Sequence, residues 1–239
     1  MEILLKIVHT KYVAIQISEK EQLVDITEYM LSISKKNKSN NVNTSSNTQP
    51  KPVKVKEKKD ETLAYKEYAK LIEGIRGIDE NKLYLCLDIE AFEFEQKKLT
   101  EFGWCIFKRD GTIIKKKHTI VKEYIHLRNG KHVPDNKDNF LFGQSDIQKL
   151  EEVEEELKND IESVNYLVGQ GIKSDIRYLK SIDVNTSKFT TMKNQKIPEF
   201  GVIDTMDIFS GNFNTKGVSL EKSLVKLQIP YDKLHNAGK

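Results

Sequence analysis

The stretch LYLCLDIEAFEFE, Leu83–Glu95, decides the fold. Leu83–Leu87 is an unbroken apolar run, the pattern of a strand buried on both faces. It leads straight into Asp88-x-Glu90. Residues two apart on a strand share a face, so both carboxylates project together where the apolar run stops. Two carboxylates this close repel each other and resist burial. A divalent cation removes that cost, and hard oxygen donors suit Mg²⁺ or Mn²⁺. Taken alone the pair is common and weak evidence, and a solvated strand end is its more ordinary explanation. Glu93 and Glu95 continue the alternation off the strand and read as exposed charge.

Working outward, Lys82–Glu90 is the first of three strand candidates. Leu99–Lys108 follows after a short polar segment, and Thr112–Val121 after Arg109-Asp110-Gly111, a tight hairpin signal. Residues 122–144 read as a long loop. A helix comes next, with Ser145 as N-cap and Gln148 completing a capping box. Its apolar stripe is Ile147, Leu150, Val153, Leu157 and Ile161, and Glu151–Glu156 is its solvated face. Strand Asn165–Gly169, helix Ile172–Lys180, strand Gly201–Asp204 and helix Val218–Leu227 complete the pattern. A three-strand meander followed by alternating helices and strands predicts an α/β fold, a mixed sheet covered by helices.

Upstream, Ala64, Tyr68, Leu71, Ile72 and Ile75 form a helical stripe that opens the globular part at residue 61. Residues 35–60 are an Asn/Lys-rich linker, almost without apolar residues to offset the entropy of ordering. Residues 1–34 read as a small ordered segment, two strand-like runs and a helical stripe.

The chain has 239 residues, a net charge of +3, 38% hydrophobic and 31% charged residues. A charge that small does not identify a nucleic-acid partner; local distribution must. Cys86 and Cys105 stand in no metal-binding or redox spacing and read as buried free thiols of a reducing compartment. Lys6 and His9 interrupt the first apolar run, which argues against a secretory signal. No window reaches the ~20 apolar residues of a membrane span. The expected setting is intracellular, cytoplasmic or nuclear. Sequons at Asn37, Asn43 and Asn185 then read as chance in an Asn-rich chain.

Two further features join the carboxylate pair. In LVGQGIKSDIRYLK, Leu167–Lys180, an apolar strand ends at Gly169 and Asp175 falls in the first turn of a helix. Its negative charge there also suits the helix macrodipole. In YDKLHNAGK, Tyr231–Lys239, His235 stands in a polar segment after the apolar helix.

Order, context and spacing of these three features resemble the DEDDh 3′–5′ exonucleases of the RNase-H-like superfamily. The resemblance runs through DIE at 88–90, LTEFGW at 99–104, LVGQGIKSDIRYL at 167–179, VIDTMDIF at 202–209 and SLEKSLVKLQIPYDKLHNAGK at 219–239. Within the superfamily the chain is most similar to a fungal DEDDh-like group, one member of which is connected with mRNA transport. The segment HLRNGKHVPDNKDNFLFGQSDI, 126–147, carries that closer likeness.

The resemblance implies an RNase-H-like mixed β-sheet with flanking helices and a site for two metal ions, Mg²⁺ or Mn²⁺. It assigns Asp88 to bridge both ions, Glu90 to bind one and Asp175 to hold the second, with His235 as general base. A paired-metal site stabilises the attacking and leaving oxygens of phosphodiester hydrolysis. The expected partner is single-stranded nucleic acid, RNA more readily than DNA, and no membrane. The family pattern H-x-A-x-x-D begins at His235 and Ala237, and its aspartate would fall one residue past Lys239. The expectation is therefore an exonuclease domain, 61–239, truncated at its C-terminus. On that expectation the last acidic ligand and the C-terminal helix fall outside the given residues, and catalysis by this stretch alone is expected to be impaired. The alternative is an inactive RNase-H-like module that binds nucleic acid or protein in mRNA handling. Lys115, Lys116 and Lys117, followed by Lys122 and Arg128, are its candidate phosphate contacts, although lysines on an edge strand also serve to block edge pairing.

Overall fold

The computed structural model describes residues 70–71, 73–140, 143–192, 196–213, 218–229 and 237. The expected segments 1–34 and 35–60, and His235, lie outside the described residues.

One seven-stranded mixed sheet organises them, as the α/β reading predicts. β1 (Leu83–Phe92), β2 (Glu95–Lys108) and β3 (Ile113–Val121) form an antiparallel meander. β4 (Asp146–Gln148) adds parallel to β3. On the other side, β5 (Tyr166–Gly169) pairs parallel with β1, β7 (Gly201–Asp204) with β5, and the two-residue β6 (Thr190–Thr191) with β7. The spatial order is β4-β3-β2-β1-β5-β7-β6. The helices are α1 (Leu150–Glu162), α2 (Lys173–Ser181), α3 (Thr205–Phe213) and α4 (Leu220–Leu227). Residues 73–76 also form a helical turn, before β1.

β1 is central, which is why its first half is uniformly apolar. Leu85, Leu87 and Ile89 pack toward Val153, Leu157 and Ile161 of α1 and Leu179 of α2. Tyr84 and Cys86 face the other way, toward Ile75, Ile78, Cys105, Phe107, Tyr166 and Ile208. On that second face Tyr84 stacks between Phe107 and Tyr166, each at 5.3 Å between ring centroids.

The β2–β3 hairpin closes where Asp110-Gly111 predicts. Gly111 N–H donates to the Lys108 carbonyl at 2.9 Å, and Gly111 takes a φ of 90°, a left-handed value that favours glycine. The meander is tighter than expected at its other end. β1 runs to Phe92 and β2 starts at Glu95, so the polar segment between the first two strands belongs to the hairpin itself.

One expected helix start is corrected. Ser145 does not cap α1, and no capping box runs from Ser145 to Gln148. Residues 146–148 pair with Thr119–Val121 as β4, and the Ser145 hydroxyl is bonded to His118. The N-cap is Lys149, whose N–H donates to Glu152 Oε2 at 2.9 Å. Ile147 accordingly leaves the stripe and is 56% exposed, while Val153, Leu157 and Ile161 are buried as read. A local capping pattern lost to non-local strand pairing. Among the described residues no helix is long and apolar enough to cross a membrane.

Candidate active site

Alternation along β1 puts Asp88 and Glu90 on the same face as Tyr84 and Cys86, both half-buried. Gly103 lies opposite Asp88 on β2, and Glu101 opposite Glu90. The Thr100 hydroxyl donates to the Glu90 carbonyl at 3.3 Å, fixing the backbone beneath the second carboxylate.

Asp175 reaches the same level from the neighbouring strand. The paired stretch of β5 against β1 ends at Cys86–Val168, leaving Ile89 beyond it. Asp175 Oδ1 accepts the Ile89 N–H at 2.9 Å, continuing the ladder with a side chain where the strand stops. Gly169 permits this turn: a Cβ there would stand 3.1 Å from Ile172 Cβ and 3.2 Å from the Leu87 carbonyl oxygen. Asp175 is only 6% exposed, so the macrodipole is not its sole partner. The Tyr178 phenol is pushed up by burial and further by the charges of Asp175 and Glu90, which places both acids in its neighbourhood.

The donors are all carboxylate oxygens, the chemistry that suits Mg²⁺ or Mn²⁺. Among the described residues, no group of three or more His, Cys, Asp or Glu is arranged to hold a metal ion. Asp88 and Glu90 form a pair on β1. Asp175 stands beside them with one oxygen committed to the Ile89 amide.

The lysines of β3 divide between the faces. Lys115 bonds Asp160 at 2.6 Å and Glu156 at 3.0 Å, and Lys117 bonds Asp146 at 2.7 Å and Glu156 at 3.2 Å. Both therefore lie against α1, away from the acids. Lys116 is exposed and shares the face of Cys105, Cys86 and hence Asp88.

Three acidic residues that the sequence reading gave no role turn out to shape the site. Glu93, expected as exposed charge, clamps the 122–144 loop onto the end of β1. Its carboxylate accepts the backbone N–H groups of Lys131 (2.9 Å), His132 (2.7 Å) and Val133 (3.3 Å). Its own N–H donates to Asn129 Oδ1, and Asn129 Nδ2 returns a bond to the Ala91 carbonyl. Desolvation works against the Glu93 charge, but these backbone donors outweigh it and hold the carboxyl below its usual range. Asp204, 6% exposed at the end of β7, accepts from Gly171 N–H at 2.9 Å and Met206 N–H at 3.0 Å. It thereby fastens the β5–α2 turn that delivers Asp175. Burial raises its pKa, and the two N–H donors offset this only partly. Its signal was an aspartate closing the apolar run VID before a helix. Glu101 is the third, invisible until strand register is known.

Beyond Glu90 the hairpin carries Phe94, 59% exposed. Phe92 stands edge-on to it at 5.3 Å, the His132 ring lies 6.1 Å away, and Lys131 Nζ sits 5.6 Å from its centroid. An exposed aromatic face with a cation beside it thus lies just past the end of the strand that carries Asp88 and Glu90.

A family model described as DNA polymerase III subunit epsilon-like, C-terminal domain, of the DEDDh type, matches residues 83–239. An uncharacterized nucleolar protein of Schizosaccharomyces pombe is 35% identical over 164 residues, covering 65% of this chain and 63% of the relative. In Saccharomyces cerevisiae, an uncharacterized protein is 33% identical over 200 residues, covering 72% of this chain and 41% of its own length. A second, named "Good for full DBP5 activity protein 2", is 30% identical over 208 residues, covering 72% and 36%. The chain thus spans less than two thirds of the length of each of these relatives.

Proposed function

This chain belongs to the DEDDh family of DNA polymerase III subunit epsilon-like domains, and from that membership we propose that it carries a 3′–5′ exonuclease site for single-stranded nucleic acid, RNA more readily than DNA. The family is generally divalent-metal dependent and binds nucleic acid. The observation that carries the proposal is the Asp175–Ile89 bond, which brings an acid from a different element to the level of Asp88 and Glu90.

Asp88 and Glu90 would hold the divalent cations together with Asp175, and His235 would take the proton of the attacking water. A bound ion pair would supply the nucleophile and steady the departing oxygen. The chain's own task is to orient three carboxylates. β1 fixes two of them through its pleat, and the Ile89 amide fixes the third. Phe94 and His132 offer a surface for unstacked bases, and Lys131 and Lys116 offer charge for the phosphates. The nucleolar relative supports a nuclear setting.

A second reading is a binding module in mRNA handling that does not cleave. It is favoured by the name of the Dbp5-related relative.

One experiment separates the two. A 5′-labelled single-stranded RNA is incubated with Mg²⁺ and either the chain or a version extended past Lys239 by an aspartate-bearing segment. Progressive shortening from the 3′ end, abolished by Asp88→Ala, is the expected result. Salt-sensitive binding without shortening in either version gives the second reading, and shortening that survives Asp88→Ala refutes the assigned site.

A further inference from the structure

Glu90 and Glu101 stand opposite each other on β1 and β2. Cross-strand partners share a face with Cβ atoms about 5 Å apart, and like charges so placed destabilise a sheet. Glu101 is 3% exposed, so water screens it poorly.

Two buried basic side chains answer that charge. His118 on β3, 1% exposed, brings Nε2 to 3.4 Å from Glu101 Oε2. Nε2 makes no hydrogen bond there. The ring is fixed elsewhere, by Ser145 Oγ at 2.8 Å from Nδ1 and by Phe140 stacked at 4.3 Å. Lys137, 2% exposed, donates from Nζ to the Leu127 carbonyl at 2.6 Å. Burial draws its pKa down, and the Glu101 charge is the largest opposing influence. Between Asp88 and His118 in the next row of the sheet stands only Gly103.

We infer that Glu101 is an electrostatic positioning residue of the carboxylate site: it offsets the buried cationic side of the 122–144 loop and so leaves Glu90 available to a divalent cation. The inference rests on the metal-dependent reading above. It also sets two opposite signs. Neutralising Glu101 takes a negative charge from beside Glu90, the largest of the three carboxylate charges that act on Lys137, and weakens the hold on a cation. Neutralising Lys137 leaves an extra negative charge there and attracts one. A residue that only braces the fold would loosen binding from either side or from neither.

The test is Mn²⁺ binding to the 239-residue chain, read by water-proton relaxation, with Asp88→Asn as reference. Glu101→Gln should raise the Mn²⁺ dissociation constant by about 5-fold to about 30-fold, the effect of a unit charge ~8 Å from a divalent ion at an effective dielectric of ~80 to ~40. Lys137→Met should lower it. Thermal melts establish that each variant folds; should Glu101→Gln not fold, the sign of the Lys137→Met change decides. If Asp88→Asn loses the ion but Glu101→Gln binds as the wild type does, the inference falls and the site stands. Weaker binding by Lys137→Met also overturns it. If the wild-type chain holds no Mn²⁺, the metal reading falls and takes the inference with it.

Discussion

Asp175 does two things at once, and replacing it in two ways separates them. Its Oδ1 accepts the buried Ile89 N–H at 2.9 Å, and its charge is one of the three proposed for the cations. Asp175→Asn keeps an oxygen acceptor but removes the charge. Asp175→Ala removes both and leaves the amide without a partner. A hydrogen bond to a charged group contributes about 1.5–3 kcal/mol net, against about 0.5–1.5 for a neutral one. The expected loss is therefore about 1 kcal/mol for Asn and about 2–3 kcal/mol for Ala, since the orphaned N–H adds its desolvation cost. At about 2–4 °C per kcal/mol for a domain of this size, Ala lowers the melting temperature by about 4–12 °C and Asn by about 2–4 °C.

The assay is urea unfolding of both variants with amide hydrogen exchange at Ile89. The Ile89 amide should exchange faster in Ala than in Asn, and Mn²⁺ binding should be lost in both. Equal destabilisation by the two variants, or an Ile89 amide unaffected by Ala, would refute the claim that this carboxylate finishes the β1 ladder.

Three other outcomes follow from the same geometry. Glu93→Gln should speed amide exchange at Lys131, His132 and Val133. Because the Glu93 carboxyl is held below its usual 4.5, its stabilisation is present above that value and lost as pH falls through the folded pKa; the gap between wild type and variant should close in acid. Asp204→Asn keeps an acceptor for Gly171 and Met206. The carboxyl is raised from 3.8, so the wild type loses stability as pH rises from about 3.8 through the folded pKa, and the variant should lack that slope in melting temperature against pH. Phe94→Ala should weaken single-stranded RNA binding by about tenfold, as expected where stacking gives ~1–3 kcal/mol per base, and leave the melt unchanged because the ring is 59% exposed; equal affinity in fluorescence anisotropy removes the platform.

What could be read without coordinates was local. The run Leu83–Leu87, the alternation into Glu90, the Asp110-Gly111 turn and the stripe Val153, Leu157, Ile161 each depend on near neighbours. Together they gave the mixed sheet and two of the acids. Asp175 was legible as the start of a helix, but the donor that fixes it is 86 residues away. Ser145 failed as a cap because β3 offered its backbone a parallel partner and His118 claimed its hydroxyl. Lys115 and Lys117, expected as phosphate contacts, are ion-paired with Glu156 and Asp160 of α1, partners that no local pattern announces. In each case a long-range pairing adds to or overrides a short-range pattern.

The same rule explains the segment 126–147, which sequence similarity singled out without giving it a job. A buried or clamped charge must find its partners close by, and here that segment supplies them. Asn129 and residues 131–133 hold Glu93. For buried Lys137, the Glu101 charge is the largest influence opposing desolvation. Phe140 and Ser145 fix the ring of His118. All three targets sit on or beside the β1–β2 end that carries Asp88 and Glu90. A long connection between β3 and β4 would cost little entropy more than a short one, yet this one buries a lysine, which is expensive unless a fixed opposite charge meets it. Its place beside the carboxylates is explained if the loop sets the charge of the site as well as covering its edge. Changes in this segment should then alter cation affinity before they alter the melting temperature.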